Sequence, residues 1–203
     1  GRLAPPKRPI QVRDLFSHTS GVFTRRSRSQ IYELPTLEAF VLELARGTLP
    51  VQPGSTWLYG SSHDVLGHLV QKVSGQTLDR FVQDRILTPL AMRDTYYWPP
   101  ESTASRRALL VVRGKDDPTG ESRQPLSAVR AKTYIGGASG LYSTAADYWR
   151  FSQMLLDGGR ANGHQLLGPK TVAWVAQNHI GDIEFPLYPG HRFGLGFAVV
   201  TDP

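Results

Sequence analysis

The stretch WLYGSSHDVLGHLVQKVSG, residues 57–75, decides how the rest of the chain is read. Its second part is an amphipathic helix. Val65, Leu66, Leu69, Val70 and Val73 recur at helical spacing and predict a buried stripe. Ser61 or Ser62 is placed to cap the first turn, Asp64 sits favourably at its positive end, and Gly75 is the expected stop. The first part is less ordinary. A turn that only bends can use Gly, Asn or Asp, yet Tyr59 and Ser61 put a phenol and a hydroxyl two residues apart, just ahead of the helix. Such a pair invites a chemical reading as well as a structural one.

Further helices flank this one. In PIQVRDLFSHTSG, Val12, Leu15 and Phe16 share a face, and the segment stops at Gly21. In PTLEAFVLELARG, Thr36 is the N-cap, Leu37, Phe40, Val41 and Leu44 form the apolar face, and Gly47 ends it. Thr77 is expected to cap a helix with Leu78, Phe81, Val82 and Ile86, closed by Pro89. Residues 99–130 read as an irregular excursion with one short strand at ALLVV, 108–112. A flexible Gly-rich loop, GGASG, then leads to Thr144 as N-cap with Asp147 three residues on; Tyr148, Phe151 and Leu155 form the inner face, and Gly158 ends the helix. GPKTVAWVAQNH is a helix with Pro169 in its first turn. RFGLGFAVV alternates Phe193, Leu195, Phe197 and Val199 as a strand does.

Composition narrows the classes of function. The 203 residues suffice for one sizeable core, with 40% hydrophobic and 20% charged residues. No run approaches the roughly 18 apolar residues of a membrane span. There is no Cys, so disulfides, thiolate nucleophiles and thiolate zinc sites are excluded. His63 and His68 lie five apart, poor spacing for a metal pair on one helical face. The net charge is +6, and Arg2, Lys7, Arg8, Arg13, Arg25, Arg26 and Arg28 face only Asp14 at the front of the chain. The run TRRSRSQ reads as a solvated loop, because no stacking platform or nucleic-acid module accompanies it. The chain opens on Gly1, and its compartment stays open.

Four blocks, taken in order, resemble the serine β-lactamase and penicillin-binding-protein superfamily. They are PIQVRDLFSHTSGV (9–22), PGSTWLYGSSHDVLGHLVQKVSGQTLDRFVQDRILTPLAMRDTYY (53–97), GGASGLYSTAADYWRF (136–151) and RFGLGFAV (192–199). The resemblance is strongest to the class C-like branch, with its carboxylesterases and D-amino-acid peptidases. It implies an α+β fold: a helical domain packed on an antiparallel sheet flanked by helices. It implies a single domain over 1–203, incomplete, with a helical subdomain to about residue 135 and part of the α/β subdomain after it. It also implies acyl transfer to water from an ester or amide through an acyl-enzyme, with no metal or organic cofactor. In this family a Tyr-x-Asn or Tyr-x-Ser motif faces a Ser-x-x-Lys nucleophile. Carried over, Tyr59 moves the nucleophile's proton and Ser61 hydrogen-bonds substrate or the Lys. A phenol ordinarily titrates near 10, so it needs a neighbouring ammonium to act as a base, which the Lys supplies.

The chain departs from the pattern in three respects. No Ser or Thr has a Lys three residues on. The third motif of the cleft strand is missing too: Lys132-Thr133 is followed by Tyr134 where Gly is needed. Ser61 replaces the commoner Asn. The expectation is a chain truncated at both ends and inactive alone, from a full-length esterase, with β-lactamase or DD-peptidase activity next. The other reading is an inactive scaffold or interaction protein on the same fold. A cut sheet would also leave an apolar edge around FGLGFAVV, open to association with another chain. Other hydrolase patterns fail: Gly-x-Ser-x-Gly is absent, and GGASG has the wrong spacing. Ser139 reads as part of a loop entering a helix. His18 reads as a structural residue ending a helix and shaping a turn, and His191 as surface or cleft rim.

Overall fold

The computed structural model describes residues 4–27, 30–31, 33–113, 121–125 and 133–201. Helix α1 is Val12–Phe16, α2 Leu37–Arg46, α3 Ser62–Ser74 and α4 Leu78–Val82, which widens into one looser turn, Gln83–Leu87. A tight turn at Glu101–Arg106 precedes strands β1, Leu109–Arg113, and β2, Glu121–Pro125. Then come α5, Ala145–Leu156, the short strands β3, Arg160–Ala161, and β4, His164–Gln165, and α6, Pro169–Val175. Strands β5, His191–Phe193, and β6, Ala198–Val200, close the chain. The described strands pair two by two and antiparallel, β1 with β2, β3 with β4 and β5 with β6. The fold is α+β, as the resemblance implies.

Local chemistry explains most of these boundaries. Thr36 Oγ1 accepts from the Ala39 amide at 3.1 Å and starts α2, whose Leu37 and Phe40 are buried. Gly75 adopts φ +68° and its amide reaches the Gln71 carbonyl at 3.0 Å, ending α3 as its sequence requires. Thr77 stands at the cap of α4 without a side-chain cap bond; the Leu78 amide instead donates to Gln71 Oε1 at 3.2 Å. Leu37, Phe40, Leu78, Tyr97, Tyr134 and Ile135 form the main core. A second cluster joins Leu87, Leu90, Met92 and Met154.

Several expectations change. The terminal segment is a hairpin, because the Gly194 amide donates to the Phe197 carbonyl at 2.7 Å and turns the chain between β5 and β6. On α5 the core residue is Met154, whereas Tyr148 is exposed. On α1, Leu15 is buried but Val12 and Phe16 are exposed. On α3, Leu66 is buried, but Leu69 is exposed and Val73 is 80% exposed. The outward apolar side of α3 lines a groove of about 850 Å³ with Phe16, Leu141, Tyr148 and Phe197. Asn162-Gly163, a hairpin signal in the sequence, turns a further hairpin, β3–β4, with φ of +49° and +76° at the turn. In the 99–130 excursion the expected strand exists as β1, but it has a partner in β2. Lys132 lies outside the described residues. Among the described residues no helix is long and apolar enough to cross a membrane.

Candidate functional site

Residues 54–61 run beside residues 18–22, and backbone hydrogen bonds hold the two segments together. The Gly54 amide donates to Thr19 O at 2.7 Å, Leu58 to His18 O at 2.8 Å and Ser61 to Val22 O at 3.2 Å. Tyr59 therefore sits between two clamped positions. At Gly60 the segments approach so closely that a Cβ would stand 2.4 Å from the Val22 carbonyl oxygen. Only glycine fits there, which is why the dyad reads Tyr-Gly-Ser. The buried hydroxyls of Ser20 and Ser62 share a hydrogen bond at 2.8 Å, and Ser20 Oγ also accepts from the Val22 amide at 3.0 Å.

The two sequence-predicted site residues diverge in exposure. Tyr59 is 61% exposed, with its phenol on the outside of the turn. Ser61 is 5% exposed and occupies the cap position of α3, where its carbonyl accepts from the Asp64 and Val65 amides. Of the two serines expected to cap the helix, Ser61 is the cap by position, and its side chain makes no cap bond.

Asp64 does more than favour the positive helix end. It is buried, and its Oδ1 accepts from the amides of Gly137 and Ala138 at 3.0 and 3.2 Å. The Gly-rich loop thus packs against the start of α3, where a Cβ on Gly137 would meet the His63 carbonyl oxygen at 2.1 Å. Its glycines serve close approach, not merely freedom. Two other aspartates repeat the arrangement at the third position of their helices. Asp14 receives both Arg8 guanidinium nitrogens, the Gln11 amide and Thr19 Oγ1. Burial works to raise the Asp14 carboxyl, but the hydrogen bonds from Arg8 and Gln11 and the Arg8 charge outweigh it and hold it below the usual range. Asp147 accepts from the Asp94 amide at 2.7 Å and Thr95 Oγ1 at 3.0 Å, and its own amide donates to Thr144 Oγ1 at 3.2 Å.

Beneath Tyr59 lies a ring cluster that sequence reasoning did not assemble. His18 is 1% exposed, and its ring centroid is 4.8 Å from that of Tyr59 and 4.4 Å from that of His63. Trp57 and Phe193 close on it at 5.8 and 5.7 Å, and Phe185 packs on Trp57 at 4.8 Å. Burial, followed by the neighbouring His63 charge, pushes the His18 imidazole down to about 4. Burial lowers His63 as well, partly offset by its hydrogen bond to the Phe16 backbone. Both rings are neutral at pH 7. His63 also lines the apolar groove, so the cluster lies between Tyr59 and that groove. No spacing rule connects residues 18, 57–63, 185 and 193; only the fold does. Ser139 lies in the Asp64-anchored loop, and His191 opens β5 with Nδ1 2.9 Å from the Pro189 carbonyl. Among the described residues no group of three or more His, Asp or Glu is placed to hold a metal.

Comparison with known proteins agrees with this architecture. The family model described as Beta-lactamase matches residues 2–203. Protein Rv1367c of Mycobacterium tuberculosis is 31% identical over 217 residues, covering 100% of this chain and 54% of that protein. Lovastatin esterase of Penicillium rubens is 32% identical over 219 residues, covering 98% of this chain and 52% of that protein. Among solved structures, EstCE1, a hydrolase with promiscuous acyltransferase activity, aligns with a TM-score of 0.74 and 27% identity over 95% of this chain and 57% of its own. The chain thus spans about half the length of the curated relatives it matches. On the match over 2–203 and the shared fold, the chain belongs to the beta-lactamase family.

Proposed function

We propose that the full-length protein is a serine hydrolase acting on esters, with Tyr59 as its proton-transfer residue. The observation that carries this is the contrast at the 57–61 turn: a backbone clamped on both sides of Tyr59, with a phenol left 61% exposed above a buried floor. The similarity to lovastatin esterase supports an ester over an amide.

In the proposed reaction a serine supplied outside these 203 residues attacks the ester carbonyl. Tyr59, as phenolate, takes the serine proton as the carbon–oxygen bond forms. The tetrahedral intermediate collapses, the ester carbon–oxygen bond breaks, and the phenol returns its proton to the leaving alcohol. A water then attacks the acyl-enzyme by the same route, releasing the carboxylic acid and the serine. Ser61 holds the lysine or the substrate by one hydrogen bond. General acid–base transfer of this kind contributes typically about 10²–10⁴-fold.

The test is hydrolysis of p-nitrophenyl acetate by the full-length protein and its Tyr59→Phe variant. Phe keeps the ring and its packing. A kcat lower by about 10²–10⁴-fold with an unchanged melting point is expected. Turnover within about threefold of wild type would return Tyr59 to a packed turn residue, since that loss is far below a general acid–base contribution.

A further inference from the structure

His18 carries three features that a turn residue does not need. Its backbone lies in the left-handed region at φ +57°, a conformation that disfavours side chains with a Cβ. Its ring is 1% exposed. Its Nδ1 is buried with no hydrogen-bond partner, which costs stability. Gly or Asn would end α1 at lower cost. Such strain, retained beside a candidate reactive group, asks for a compensating role.

The ring contacts supply one. His18 touches Tyr59, His63, Trp57 and Phe193, so it is the hub of the cluster. Trp57 also flanks Tyr59, at 6.2 Å. The residue after Leu58, whose amide is bound to the His18 carbonyl, is Tyr59 itself. One residue therefore fixes both the backbone ahead of the phenol and the surface beneath its ring. The residue type follows from the geometry: among side chains with an aromatic ring, histidine is the one that left-handed positions tolerate comparatively well.

We propose that His18 is a positioning residue for Tyr59: its imidazole is the platform on which the phenol ring rests, keeping the exposed hydroxyl on one arc above the turn. This rests on the reading of Tyr59 given above. Burial keeps the platform uncharged at pH 7, so it orients the phenol without adding a cation beneath it. Misplacement of a reacting group by about 1 Å can cost on the order of a hundredfold.

The experiment is a double-mutant cycle in the full-length protein with p-nitrophenyl acetate. His18→Asn keeps tolerance of positive φ and removes the ring. In the wild-type background it should lower kcat by about ten- to a hundredfold with KM nearly unchanged. In a Tyr59→Phe background there is no hydroxyl to position, so the same substitution should change kcat by less than about twofold. Equal losses in both backgrounds would make His18 a structural residue and overturn the proposal while leaving Tyr59 catalytic. Full activity in Tyr59→Phe alone would remove the catalytic reading, and this proposal with it. His18→Phe restores a ring: it should melt lower, because Phe resists positive φ, yet keep kcat within about threefold. A folded His18→Phe as impaired as His18→Asn overturns the proposal. If neither variant folds, wild-type three-bond couplings decide. A single Tyr59 χ1 rotamer is expected, whereas the averaging usual for so exposed a side chain overturns it.

Discussion

A Cβ placed on Gly60 would stand 2.4 Å from the carbonyl oxygen of Val22, nearer than real Cβ atoms come. The turn that carries Tyr59 is held at this distance by the Leu58 and Ser61 amides on either side. Gly60→Ala should therefore push the two segments apart, costing about 1–3 kcal/mol as overpacking does. Urea denaturation measures it. Gly75→Ala is the control: nothing lies within 4 Å, and only its φ of +68° resists the substitution, so its loss should be smaller, about 1 kcal/mol. An equal loss at both positions would mean the 57–61 turn gives way freely.

Asp64 joins the start of α3 to the loop at 136–140 through the Gly137 and Ala138 amides. Asp64→Ala takes the acceptor from the half-buried Gly137 amide and the exposed Ala138 amide, at about 1 kcal/mol each. Asp64→Asn keeps one acceptor oxygen and should lose less. Hydrogen exchange at Gly137 and Ala138 should quicken in Asp64→Ala beyond the change seen elsewhere in the chain. Uniform exchange rates across the loop and α3 would show that the carboxylate does not organise it.

Acid should destabilise the fold in two stages. In the unfolded chain His18 titrates near 6.5, but in the fold it is pushed down to about 4, so between these values only the unfolded state binds its proton. Above 6.5 both states are neutral and the fold has its full stability. As pH falls from 6.5 to 4 stability drops, by on the order of 3 kcal/mol for His18. His63, lowered in the same direction, adds to this. Asp14 acts lower. Its carboxyl is held below its usual 3.8, so its stabilisation persists above that value and is lost as pH falls further. Thermal melts across pH 7 to 3 check the order. In His18→Asn the loss between 6.5 and 4 should shrink, and an unchanged slope there would contradict the assignment.

The apolar side of α3 and the terminal hairpin face outward, with Val73 80% and Val200 59% exposed. The expected consequence is concentration-dependent association of the 203-residue chain. Val73→Lys should reduce it and change stability by less than about 0.5 kcal/mol, because the side chain is already in solvent. Sedimentation velocity over a range of concentrations makes the comparison. A monomer at every concentration would show that these faces do not drive self-association.

Much of this protein is local and therefore legible in its residues. The Thr36 and Thr144 caps, the Gly75 stop, Pro169 at the start of α6 and the apolar face of α2 follow from side chains acting within a turn or two of themselves. The family blocks, and with them Tyr59 and Ser61, are likewise written in short order. Tertiary structure alone decided the rest. Whether α3's stripe is covered depends on what packs over it, so the same periodicity left Leu66 buried and Val73 exposed. Likewise, the RFGLGFAVV alternation did not distinguish one strand from the β5–β6 hairpin, which the Gly194–Phe197 hydrogen bond sets. The platform beneath Tyr59 draws on residues 18, 57, 63 and 193, whose separations carry no period. Their meeting is a product of long-range packing, and a left-handed histidine becomes informative only once its neighbours are in place.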